Sequence, residues 1–175
     1  MNAIMTRRSI RKFLDTPVEP EKTERILRAA MQSPTARNEQ AWEFLVVRDR
    51  EMCRAVAGMA DTAVCAAKAA QLIVVLANLE KAVPNSDVWL CDMGAVCQNI
   101  LLQIEEEGLG ACWLACWPYE QRMSHIRPLL ELPHNIVPFA VIAMGYKEHE
   151  KPFDDRWDVK KVHSEKYGNP LSHLL

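Results

Sequence analysis

The stretch DVWLCDMGAVCQNILLQIEEE, residues 87–107, decides the fold. Met93, Val96, Cys97, Ile100, Leu101 and Ile104 recur at spacings of three and four, the period of an α-helix. Apolar residues also cover most of the remaining circumference, so this helix belongs at the centre of the molecule. Gly108 follows it and suits the residue after a helix C-terminus. Glu105, Glu106 and Glu107 oppose the negative end of the helix dipole, so that end is expected to face solvent.

Strand candidates stand on both sides of this helix. Gln71 to Ala77 is a short continuous apolar run, the pattern of a strand buried on both faces. Trp42 to Val47, Ala111 to Cys116 and Val137 to Met144 are further candidates, rich in aromatic or β-branched residues. Residues 20–32 read as a helix stopped by Ser33-Pro34, with a polar loop over 34–41. Residues 50–69 read as helical with a break near Gly58, and residues 119–130 as a helix with Pro133 marking the turn after it. Residues 147–175 are polar, without amphipathic period, and read as an extended arm that needs a surface to lie on. Helices clustered around few strands predict an α+β layer fold in one domain spanning 1–175.

The chain has 175 residues and a formal net charge of −2. That charge is uneven: residues 1–37 hold eight Lys/Arg against four Asp/Glu, or +4, which leaves −6 for the rest. Such local basicity argues against a broad nucleic-acid surface and for one small anionic ligand. No apolar run approaches the ~20 residues of a membrane-spanning helix, and no apolar segment follows the first basic residues as in a signal peptide. The six cysteines, Cys53, Cys65, Cys91, Cys97, Cys112 and Cys116, form no C-x-x-C. They read as buried free thiols in a reducing cytoplasm, and their spacing lacks a metal-ligand knuckle, so no metal is expected. The five histidines are scattered, and none is assigned a catalytic role.

Arg7-Arg8-Ser9-Ile10-Arg11-Lys12 packs four cations and a hydroxyl into six residues. It reads either as a solvated basic turn or as an anion site, because guanidinium forks match phosphate geometry and Ser9 adds a neutral donor. Ser33-Pro34 by itself is a helix stop and Asn38 a turn residue. Trp113 and Trp117 by themselves are packing residues of a core or an interface.

Three segments, in order, bear a resemblance. They are Arg7 to Phe13 (RRSIRKF), Ser33 to Phe44 (SPTARNEQAWEF) and Gly108 to Leu114 (GLGACWL). Together they closely resemble the FMN-dependent nitroreductase family, from Met5 to about Arg156. The resemblance implies an α+β sandwich with a mostly antiparallel central sheet flanked by helices. It also implies an intimate homodimer that exchanges C-terminal arms and carries two FMN sites at its interface. It implies that Arg7, Arg8, Ser9 and Arg11 hold the FMN phosphate, ribityl chain and pyrimidine edge. Pro34, Thr35, Ala36 and Asn38 would come from the partner to line the ring. Leu114, Ala115 and Cys116 would cover the other face and offer a backbone N–H toward flavin N5. Gly145 and Arg156 would complete the phosphate contacts.

The residue chemistry agrees with that assignment. The basic N-terminus answers a phosphate dianion, Asn38 has the donor and acceptor that a flavin edge requires, and Pro34-Thr35-Ala36 permits close approach. Ala41 stands where the family often has Pro, which loosens that turn, and Arg37 and Glu39 reach toward the substrate or the dimer seam. The activity implied is reduction of a nitroaromatic, quinone or related small-molecule acceptor by NADH or NADPH in a ping-pong cycle through FMN. No side-chain acid or base is demanded, so no catalytic residue is named. The alternative is a flavin-binding sensor or carrier without turnover. A nucleic-acid partner and a membrane are not expected.

Overall fold

The computed structural model describes residues 2–170. A four-stranded sheet carries the fold, built from β1 (Trp42–Val47), β2 (Gln71–Asn78), β3 (Gly110–Ala115) and β4 (Ile136–Gly145). Its strands run in the order β1-β2-β4-β3, and every neighbouring pair is antiparallel. β2 is buried at all eight residues, as its unbroken apolar run requires for an inner strand covered on both faces.

The helices supply the two covers. On one side lies α4 (Trp89–Glu106), whose Met93, Val96, Cys97 and Ile100 are fully buried against the sheet and against α2 (Pro20–Ala30). The second layer is α3 (Arg50–Ala57), α5 (Glu120–Leu129) and a 3-10 segment, Asp61–Lys68. The Ala-rich stretch after Gly58 is thus a 3-10 segment rather than a continuation of α3. Asp49 caps α3, its Oδ1 accepting from the Met52 N–H at 2.7 Å. A short α1 (Ala3–Thr6) precedes the basic stretch.

The acidic end of α4 corrects in part the expectation of a solvent-facing terminus: Glu106 and Gly108 are exposed, but their neighbours are drawn in. Glu105 and Glu107 side chains are each only 10% exposed. Lys147 Nζ pairs with Glu105 at 2.9 Å, Arg25 grips Glu107 through two bonds of 2.8 Å, and the Ala3 N–H reaches Glu106. Cations distant in sequence neutralise what the helix dipole alone would expel.

The segment after β4 contains no strand among the described residues, in keeping with an arm, and only a 3-10 turn at Val159–Lys161. The last five residues of the expected arm, 171–175, lie outside the described residues. Phe153, Trp157 and Tyr167 along the arm are exposed. Five of the six cysteines are buried free thiols as expected; Cys91 is exposed, because it sits on the outward face of α4.

Candidate functional site

The basic stretch is a strap laid along the outer edge of β3. Ser9 bridges Ala111 in parallel, and the Ile10 N–H donates to the Ala111 carbonyl at 2.8 Å. The strap passes so close to Gly110 that a Cβ there would lie 2.8 Å from Ile10 Cβ. Only glycine lets the two backbones approach this far. Phe13 then bridges Lys147, which joins the strap to the start of the C-terminal arm.

The arm folds back over the strap. Lys151 Nζ donates to the Ser9 carbonyl at 2.7 Å, and Arg8 Nε donates to the Pro152 carbonyl at 3.1 Å. Arg8 also stacks its guanidinium over Phe153 and donates to the Met5 and Arg7 carbonyls. One nitrogen of Arg8, Nη2, is buried without any partner. A buried cationic donor with no acceptor is costly, so it marks a place that an acceptor completes.

Farther along the strap, Ile10, Arg11, Lys12, His149 and Lys151 line a pocket of about 320 Å³. Four of its five lining residues are basic, the donor set for a phosphate. A larger cavity of about 600 Å³ includes Phe153, the ring under Arg8, with Lys147 and Lys151, but its three carboxylates, Glu105, Glu106 and Glu150, disfavour an anion.

Arg7, Arg8, Ser9 and Arg11 lie along this one strap; Arg11 lines the smaller pocket with Lys151 and His149, while Arg8 turns to the arm at Pro152 and Phe153. Lys151 went unread because the arm gives no periodic signal; its one cue is a cation soon after the last strand. Gly145 lies across from Gly110 in the β3–β4 ladder, packed against Ala70 and Phe13 beneath the strap. Arg156 is exposed further along the arm and pairs with Asp154.

Leu114, Ala115 and Cys116 sit at the far end of β3, about 10–17 Å from the strap's bridge at Ala111 at the strand rise per residue. Leu114 and Cys116 are buried, so Ala115 is the partly exposed one. The Cys116 N–H donates to the Phe139 carbonyl at 3.0 Å. That amide is committed inside the protein, so of the three residues Cys116 is not the one that offers a backbone N–H outward. Arg122, unnoticed in the sequence, stacks on Tyr119 and donates to the Ala115 carbonyl at 2.7 Å, fixing this corner. Trp117 packs edge-on against Trp89 and Trp113 against Phe139, the packing role expected of both tryptophans.

The Pro34–Asn38 bend stands apart, on the first turn of α4. The Thr35 hydroxyl donates to Asp92 Oδ2 at 3.0 Å, and the Ala36 N–H donates to Asp92 Oδ1 at 3.1 Å. Pro34 and Asn38 are exposed. Asn38 Oδ1 accepts from Gln40 Nε2, which leaves the Asn38 amide hydrogens free to point outward.

The thiols near the strap are chemically uneven. The hydrogen bond shared with Cys65 pulls the Cys112 thiol below its ordinary value, with Arg11 and Lys151 assisting and burial opposing. Burial pushes Cys116 up to about 12, so it stays a neutral packing thiol. No group of three or more metal-ligating side chains is gathered among the described residues.

The Nitroreductase family's sequence profile matches residues 4–81 and 60–146. The chain belongs to the nitroreductase family. A relative in Archaeoglobus fulgidus, assigned by name as an NADH dehydrogenase/NAD(P)H nitroreductase, is 41% identical over 170 residues, covering 95% of this chain and 98% of its own. The crystal structure of a Clostridium acetobutylicum protein assigned as an NADH oxidase superposes with a TM-score of 0.91 at 43% identity, covering 94% of this chain and 99% of that one. An FMN-dependent nitroreductase from Clostridium difficile R20291 superposes with a TM-score of 0.88 at 32% identity, covering 95% and 99%. The nitroreductase α+β architecture expected from the three motifs is therefore the one this chain adopts. No helix among the described residues is long and apolar enough to cross a membrane.

Proposed function

We propose that two copies of this chain hold two FMN molecules in the seam between them, and that NAD(P)H reduces a nitroaromatic, quinone or similar acceptor there in two successive half-reactions. The chain is an NAD(P)H-dependent oxidoreductase of the nitroreductase family. The observation that carries the FMN reading is the pocket that Arg11 and Lys12 of the strap share with His149 and Lys151 of the arm. A phosphate dianion supplies the negative charge that this set of cations calls for.

Bound FMN supplies the two-electron redox chemistry, while the protein binds and orients. Arg7, Arg8, Ser9 and Arg11 hold the phosphate end, and Lys151 and His149 close it from the arm. Lys151 fixes the strap by its bond to the Ser9 carbonyl, so the guanidinium groups are in place before the ligand arrives. Pro34, Thr35, Ala36 and Asn38 of one chain line the ring held by its partner, with the free Asn38 amide hydrogens donating to a ring carbonyl. Leu114 and Ala115 lie against the other face, clamped by Arg122. No proton relay is required of any side chain.

The dimer reading is supported by the outward face of α4, where the small or apolar Cys91, Gly94, Ala95 and Leu102 form a stripe interrupted only by Gln98. It is supported also by the exposed Phe153 and Trp157 of an arm with no helix or strand of its own to bury them.

The test is an anaerobic titration. The FMN-loaded protein should bleach fully on adding one equivalent of NADH or NADPH with no acceptor present, and regain colour on adding a quinone. Arg11→Ala should retain far less FMN. Protein that binds FMN yet never bleaches with either nucleotide would be a flavin carrier and not the enzyme proposed.

A further inference from the structure

Asp92 is the one charged side chain among the described residues that is buried. No ion pair to it is present among those residues. The buried face of the core helix α4, apolar at Trp89, Met93, Val96, Cys97, Ile100, Leu101 and Ile104, bears here a carboxylate whose donors all come from one loop. Its oxygens accept from the Thr35 hydroxyl and the Ala36 N–H. Thr35 Oγ1 in turn accepts from the Gln40 N–H at 3.1 Å, and Gln40 Nε2 donates to Asn38 Oδ1 at 2.9 Å. Asp92, Thr35, Gln40 and Asn38 are thus joined by successive hydrogen bonds.

The loop these bonds hold is a strained one. Arg37, Asn38 and Gln40 have φ of 51°, 59° and 50°, the left-handed region that residues other than glycine seldom enter. Such a conformation persists only where its surroundings over-determine it, and it gathers where geometry matters to function. A second tie supports the same loop two turns along the helix, where Asn99 Nδ2 donates to Ser33 Oγ at 2.9 Å.

We infer that Asp92 is the positioning residue for the ring half of the flavin site: from α4 it sets where Asn38 meets the ring, and so how tightly the ring, as distinct from the phosphate, is held. This rests on the flavin reading above. Asp92 itself touches no ligand; it acts through Thr35, Gln40 and Asn38.

Asp92→Asn keeps the shape but leaves one acceptor for two donors, and turns an N–H toward one of them. The readout is the quenching of flavin fluorescence on titrating FMN and riboflavin separately into apoprotein. The variant should weaken both flavins by the same factor, about tenfold for one lost ring contact. Arg11→Ala should weaken FMN alone, because riboflavin has no phosphate. In an Asn38→Ala background Asp92→Asn should add less than about twofold, since the contact it positions is already gone. Thr35→Val, which cuts the same hydrogen-bond chain from the surface side, stands in if Asp92→Asn does not fold.

Parent-like affinity in both variants overturns the inference. So does a loss confined to FMN, or a full tenfold loss on top of Asn38→Ala, which would mean that Asp92 acts by some other route. A parent protein that binds neither flavin sinks the flavin reading itself, and is told apart from these outcomes by the first titration.

Discussion

Gly110→Ala tests the strap most sharply. The new Cβ would lie 2.8 Å from Ile10 Cβ, Ile10 Cγ1 and Lys147 Cγ. Carbon atoms prefer about 3.5–4.0 Å, so each neighbour must retreat by roughly 0.7–1.2 Å. Ile10 is 3% exposed, and its Cβ cannot move by a change of rotamer, so the backbone must go with it. Lys147 is likewise pinned, by its pair with Glu105. Overpacking of this kind costs about 1–3 kcal/mol, which for a chain of this size lowers Tm by about 3–10 °C. Arg8 and Arg11 flank Ile10, so the displaced strap also loses at least one charged contact to the phosphate. A charged hydrogen bond is worth about 1.5–3 kcal/mol, so FMN affinity should fall about 10- to 100-fold. Differential scanning fluorimetry and FMN titration measure the two effects on one sample. Gly108→Ala is the control. Its φ of +73° makes alanine strained, but nothing lies within 4 Å, so it should cost about 1 kcal/mol of stability and leave FMN affinity alone. A Gly110→Ala protein with the parent's Tm and FMN affinity would refute the close passage of the strap.

Two further outcomes follow from the same contacts. The Arg25 guanidinium holds Glu107 below the ordinary carboxylate value of 4.5, with Gln103 and Lys22 assisting and burial opposing. A depressed carboxylate stabilises the fold above its unfolded value and stops doing so as pH falls through its folded one. The Tm gap between parent and Glu107→Gln should therefore be constant from neutral pH down to about 5 and shrink below about 4.5; a gap that widens in acid would contradict the pairing. Asp49→Ala should remove about 1 kcal/mol by uncapping α3, seen as a fall of about 2–4 °C in Tm with no change in FMN affinity.

Local pattern made the elements legible. Trp42–Val47 is a strand over the very residues that its aromatic and β-branched run marks, and the apolar period of 87–107 places α4 to within two residues at each end. Pairing was not legible, because β2 and β4 meet across more than sixty residues with nothing in either strand to specify the other. The carboxylates at the end of α4 misled for a related reason: Lys147, Arg25 and Lys22 reach them only after folding. The basic stretch was legible because its four cations fall within six residues. Lys151 was not, being one lysine in an arm without period. Asp92 did leave a trace, as a carboxylate at an apolar-face position in the first turn of the helix, but its meaning depended on where Thr35 and Ala36 would lie.

Sedimentation equilibrium followed at the flavin's visible band tests the central claim most directly, because it weighs only what carries colour. The account predicts that the yellow species has twice the 19.9 kDa chain mass and one FMN per chain. Colour travelling with a single chain, or a dimer that stays colourless in excess FMN, would contradict it.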